Sequence, residues 1–179
     1  MAETSNPRTR DLRATRQIRE YTDEPVSDAD LAELLEVARW TGSSQNTQPW
    51  HFVVLTDPED LGAIGASRAA IAWVASAPSA IAIVLDGKNP LSEAYDEGRV
   101  TERLLVAARM LGLGAGTAWI GSPEGEAAIA ERLGVPAGRT LRSVVVVGHP
   151  VTGAAHKLGR KVSGRKPVDQ VVGYGRYRA

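Results

Sequence analysis

The chain has 179 residues, 43% of them hydrophobic and 23% charged, which suits a single folded domain over residues 1–179 and excludes a disordered, collagen-like or disulfide-stapled chain. Cysteine is absent, so thiolate metal sites and cysteine nucleophiles are excluded as well. The 21 Lys and Arg balance the 21 Asp and Glu, yet the bases gather at both ends: five arginines against Asp11 alone in residues 8–19, and seven bases against Asp169 alone in residues 150–179.

No apolar run reaches the roughly 20 residues of a membrane span, and the polar start MAETSNPRTR is unlike a signal peptide, so a cytoplasmic protein with no membrane partner is expected. The two basic ends read either as solvated termini or as the lining of a site for an anionic ligand. They lack the interleaved aromatics and motifs of a nucleic-acid tail, so no nucleic-acid partner is expected.

In chain order, Ser27 with Asp30 resembles a capping box and opens a helix over residues 28–40, with Leu31, Leu34, Leu35 and Ala38 on one face. The polar stretch TGSSQNTQP (41–49) breaks the period, and residues 51–55 read as a buried strand. Residues 59–76 read as one or two helical pieces, and residues 80–85 as a second buried strand. A long helix is predicted over 91–111, with Val100, Leu104, Ala107, Ala108 and Leu111 inward and Gly112 or Gly114 as its left-handed stop. A short strand at 117–120, a helix capped by Ser122 and Pro123 and closed at Leu133-Gly134, and a central valine strand at 144–147 follow. From His149 the periodicity fails, which suggests an extended arm lying over something else, such as another subunit. Four strands among helices give a mixed layered architecture.

Most motifs reduce to structure. GLGAGT (112–117) follows a helix where a dinucleotide loop must follow a strand, so it reads as helix termination with close packing. The three histidines have no ligand spacing, and neither HExxH nor GxSxG occurs, so no metal site and no hydrolytic nucleophile is expected. Asp96, Glu97 and Glu102 read as a solvated helix face. Residues 43–50, SSQNTQPW, remain: a loop dense in hydrogen-bonding groups, able to recognise a polar planar ligand.

Five segments, in order, resemble the FMN-dependent nitroreductase family. Arg16-Gln17-Ile18-Arg19-Glu20-Tyr21 before Pro25-Val26 is similar to its R-S-x-R-x-[FY] opening, and residues 42–52 to its P-S-x-x-N-x-Q-P-W-x-[FV] loop. AARMLGLGAG resembles the end of its long helix, LGVPAGRTLRSVVVVGHP its last strand segment, and GRKPVDQVV its closing element. The resemblance implies an α+β, three-layer fold with a central mixed sheet flanked by helices and an extended C-terminal arm. It also implies a homodimer with FMN at its interface, and electron transfer from NAD(P)H to a small-molecule acceptor such as a nitroaromatic, quinone or flavin by ping-pong exchange.

Carried over residue by residue, Arg16, Gln17 and Arg19 and the closing Arg165 would approach the flavin. Arg16 and Arg165 fall to the phosphate and Arg19 to the N1/O2 edge, with the flavin itself carrying the chemistry. Ser43, Ser44 and Asn46 would reach it from the partner subunit. The chain departs from the family where Thr15 and Gln17 stand for an arginine and a serine, with Arg13 as a replacement. It departs again where Ala70 and Trp73 stand for an asparagine and a lysine, with Arg68 nearby, and where Glu102-Arg103 replaces Gln-Asn. A small insertion over the pocket, and so a wider pocket, is expected from the length. The alternatives within the same fold are a specialised flavin-dependent dehydrogenase and an FMN-binding protein without turnover.

Overall fold

The computed structural model describes residues 6–153 and 164–177. Its elements are α1 (Arg10–Ala14), α2 (Asp28–Arg39), β1 (Trp50–Leu55), α3 (Pro58–Ser67), β2 (Ser79–Leu85), α4 (Pro90–Met110), β3 (Gly114–Trp119), α5 (Pro123–Arg132) and β4 (Thr140–Gly148). The helix starts follow local chemistry. Ser27, Asp57, Asn89 and Ser122 each accept a backbone N–H of the first turn, and Pro58, Pro90 and Pro123 occupy positions whose N–H has no helical acceptor.

The strands lie in the order β1-β2-β4-β3. All three pairings are antiparallel, so the mixed sheet of the expectation is not what the four described strands form, although the α+β class holds. Alternation along the central strands makes three layers. Ala80, Ala82, Val84, Val144 and Val146 face a core shared with α3 and α5, through Leu61, Ile64 and Ile129. Ile81, Ile83, Leu85, Val145 and Val147 face one shared with α2 and α4, through Leu34, Val100 and Leu104. Both faces being covered explains the continuous apolar runs of β2 and β4.

The piece expected over 59–76 splits at Arg68, whose extended backbone (φ −158°, ψ 129°) separates α3 from a 3₁₀ segment, Ala69–Ser76. Helix α4 ends with Gly112 at φ +78°. The Gly112 N–H donates to Arg109 O (3.1 Å) and the Leu113 N–H to Ala108 O (2.8 Å), the paired bonds of a left-handed helix stop.

Strand β3 then starts three residues before the expected position, within the glycines themselves. A Cβ at Gly114 would lie 2.9 Å from the Ile18 side chain and one at Gly116 2.3 Å from the Ile18 carbonyl oxygen. These glycines therefore admit a neighbouring backbone, which propensity alone does not reveal.

The expected solvated face of α4 is a second correction. Asp96 is 1% exposed and Glu97 is largely covered, whereas Glu102 is exposed as expected. Glu97 accepts from Ser143 Oγ (2.5 Å) and Arg142 Nε (3.1 Å). No helix among the described residues is long and apolar enough to cross a membrane.

Candidate functional site

Two groups of candidate residues lie at opposite ends of α4. At its C-terminal end, the chain leaving α1 runs extended beside β3: the Ile18 N–H donates to Ala115 O (2.8 Å), and the Gln17 side-chain oxygen accepts the Thr117 N–H (3.3 Å). This covers an edge strand that would otherwise present free backbone groups. The segment continues against the end of β4, with Thr22 N–H on His149 O (2.9 Å) and Val151 N–H on Glu20 O (3.1 Å).

Arg19 stands with its guanidinium 5.6 Å from the centre of the Trp73 ring, within cation–π range. Its Nε, the Trp73 Nε1 and the Thr117 Oγ1 are buried and without a hydrogen-bond partner. Such groups ordinarily cost about 1–3 kcal/mol each when buried unmatched, which marks them as candidates for function; Arg19 and Trp73 lie together, while Thr117 falls on the other face of β3, the one Ala115 presents to α4. Beside them the Tyr21 hydroxyl donates to Ile18 O (2.7 Å), and burial pushes its pKa well up against the opposing pull of Arg19.

Arg16 borders a cavity of about 250 Å³ with Leu105, Arg109 and Leu113, while its guanidinium donates to the Arg13 and Thr15 carbonyls (2.7 Å each). Arg68, in the break after α3, lies 5.0 Å from the Trp119 ring centre and donates to Trp119 O (3.2 Å).

At the other end, Asp96 accepts the Ser44 N–H through both carboxylate oxygens (3.0 and 3.2 Å) and pairs with Arg99 at 3.0 Å. Ser43 Oγ accepts the Gln48 N–H (2.8 Å). In this loop Gln45, Asn46 and Gln48 have φ of 50°, 57° and 48°, in the left-handed range that asparagine tolerates and that costs a residue such as glutamine about 1–2 kcal/mol. Glu93, one turn earlier, accepts three N–H groups of the preceding turn, those of Gly87, Lys88 and Asn89.

The structure thus brings Arg16, Gln17 and Arg19 together, and separately Ser43, Ser44 and Asn46. Asp96 and Arg109 are 13 residues apart on one helix, so the two groups are separated by about 20 Å along it at 1.5 Å per residue. Arg165 joins neither: its guanidinium donates to Gly164 O (3.3 Å), and residues 164–177 are exposed throughout. Asp96, Thr117 and Trp119 are the participants that sequence reading passed over, while Trp73 was noted there as a departure from the family pattern. For Asp96 the signal was present, since Asp96, Val100 and Leu104 fall on one helical stripe.

Among solved structures, the topology is shared with YcnD of Bacillus subtilis, described as an oxidoreductase, at TM-score 0.84 over 98% of this chain and 76% of that one. At 24% identity this match defines the fold class alone. The chain belongs to the nitroreductase family. Residues 12–89 match the family's sequence profile, and a protein of Archaeoglobus fulgidus named as an NADH dehydrogenase/NAD(P)H nitroreductase is 35% identical over 142 residues, 75% of this chain and 80% of its own. A Desulfovibrio desulfuricans nitroreductase solved in complex with FMN is similar at 26% identity and TM-score 0.81, covering 98% of this chain and 100% of that one.

Proposed function

We propose that this protein is an FMN-dependent oxidoreductase that uses NAD(P)H to reduce a small-molecule acceptor, with each flavin held between two copies of the chain. The observation that carries the reading is the pairing of unmatched polar groups beside β3 with a strained polar loop anchored on Asp96, the loop and the arginine segment contacting α4 at points about 20 Å apart along it. The unused donors of Arg19 and Trp73 and the unused hydroxyl of Thr117 fit the polar edge of a flavin ring, which presents both acceptors and an N–H.

Arg16, Gln17 and Arg19 would hold the flavin from one copy, with Arg165 joining Arg16 on the phosphate, because a planar guanidinium suits a phosphate. Ser43, Ser44 and Asn46 would hold it from the partner. Between the two half-sites α4 carries an exposed apolar groove of about 620 Å³, bordered by Leu12, Val37, Tyr95 and Met110. A second copy packed two-fold on that groove, its α4 running in the opposite direction, would bring one copy's loop to the other's arginine end.

Bound FMN supplies a two-electron carrier between NAD(P)H and a nitroaromatic, quinone or flavin acceptor, in ping-pong order. The chain's part is to hold and orient. Arg19 would keep a positive charge at the N1/O2 edge, where electron uptake leaves negative charge, and the buried cluster around Trp73 lowers the local dielectric so that this charge acts strongly. Residues 1–179 would act as one FMN-binding domain. One observation favours a second reading, FMN binding without turnover: the Arg16 Nη1 is already engaged by the Arg13 and Thr15 carbonyls of its own segment.

The test is an anaerobic visible spectrum of the FMN-reconstituted protein before and after NADH or NADPH. Bleaching of the bound-flavin bands is expected. A bound flavin that never bleaches supports the second reading, and a protein that retains no flavin rejects both.

A further inference from the structure

We infer that Arg68 and Trp119 form a recognition plate for an acceptor that is aromatic and anionic, a ring bearing a carboxylate or similar group. The inference rests on the flavin reading above and names the substrate class of the same site.

The plate is a built feature. Arg68 is the one residue between α3 and the 3₁₀ segment, and its extended backbone sends the side chain across to β3. There the guanidinium lies 5.0 Å from the Trp119 ring centre and donates to Trp119 O at 3.2 Å. Gly121, at φ +83°, lies behind it: a Cβ there would come 2.8 Å from Arg68 Nη1, so a larger residue would push the guanidinium from this position.

The plate is also open, since Arg68 and Trp119 are both exposed. A guanidinium carries five N–H donors, and here one is matched, by Trp119 O. Arg132 on α5 pairs with Asp60 and Arg142 on β4 pairs with Glu97. Among the described residues, no carboxylate lies within ion-pair reach of Arg68. Trp119 is 54% exposed on a strand whose other residues are mostly buried. A large aromatic surface left open beside a fixed cation suits an aromatic ligand with a negative group.

Its position ties it to the redox site. Trp119 is two residues from Thr117 along β3, about 7 Å at the rise of a strand, and Thr117 carries one of the unmatched groups assigned to the flavin edge. A ring of one or two cycles spans that distance. An acceptor whose reducible group lies at the flavin can therefore place a carboxylate at the far end of its ring on Arg68.

The test compares 4-nitrobenzoate with its neutral methyl ester, using protein whose FMN content has been measured after gel filtration. For Arg68→Met, the ratio of kcat/KM for the acid over kcat/KM for the ester should fall about tenfold relative to wild type, carried by the KM of the acid. Arg68→Lys should restore part of it, because charge is kept while the planar fork is lost. An unchanged ratio, or a loss carried by the KM of the nicotinamide donor, would overturn the assignment. Should the protein hold no FMN, the functional reading fails on its own account. Quenching of tryptophan fluorescence by 4-nitrobenzoate then decides the plate: quenching lost in Arg68→Met supports it, and equal quenching in both proteins contradicts it.

Discussion

The two ends of α4 solve opposite problems. At the N-terminal end every anchor is matched: Asp96 holds Ser44, Ser43 holds Gln48 and Glu93 holds three N–H groups, while the backbone between Ser44 and Gln48 is held in unfavourable dihedrals. At the C-terminal end the backbone is relaxed and hydrogen-bonded to β3, while Arg19, Trp73 and Thr117 keep polar atoms with nothing to bond. One end stores its cost in backbone conformation and the other in unmatched side chains. Both are devices that fix a site before its ligand arrives, and both need surrounding packing to hold them.

Removing the anchor should have the largest effect. Asp96→Ala removes the buried carboxylate that holds the Ser44 N–H and the exposed Arg99, and should lower the unfolding free energy by about 1.5–3 kcal/mol in urea titration. Asp96→Asn keeps an acceptor and should lose less. At the other end the effect should fall on ligand and not on folding: Arg16→Ala is expected to weaken FMN binding by about 2 kcal/mol, read by flavin fluorescence, with little change in the urea midpoint. Unchanged FMN affinity would remove Arg16 from the phosphate.

Relieving the strained loop should act in the other direction. Gln45 has φ 50°, which glycine adopts freely, so Gln45→Gly should stabilise the fold by about 0.5–1 kcal/mol while loosening FMN binding. A destabilised variant would mean that the loop is not strained. The smallest effect is at Glu36, an exposed carboxylate outside both ends, held down to about 2 by hydrogen bonds from Arg39 and Trp40. Its folded value lies below the ordinary 4.5, so its contribution is present above that pH and is lost as pH falls toward 2. Glu36→Gln should flatten the acid limb of the stability profile between those values, leaving the variant slightly less stable than wild type at neutral pH and equal to it near pH 2.

Much of this was legible in the residues. Ser27, Ser122 and Pro123 mark their helices, the valines of β4 mark a central strand, and the serine loop and arginine segment stand out by composition. The glycines before Thr117 concealed the start of β3, because a glycine strand has no propensity and declares itself only through the backbone packed on it. Asp96 was misread because a charged residue on a long helix is usually solvated, and only its partner 52 residues away in sequence explains its burial. The pairing of Arg68 with Trp119, 51 residues apart, leaves no local signal at all.

The central claim is that each flavin site is assembled from the two ends of α4 on different copies. Co-expression of Arg19→Ala with Asn46→Ala, each tagged differently so that the mixed species can be purified, tests it directly. Each variant alone should bind FMN poorly, and the hybrid should regain one intact site of its two, so unsorted co-expressed protein should recover about a quarter of wild-type sites. A hybrid that binds no more FMN than its parents, or a monomer that binds FMN as fully as wild type, would contradict it.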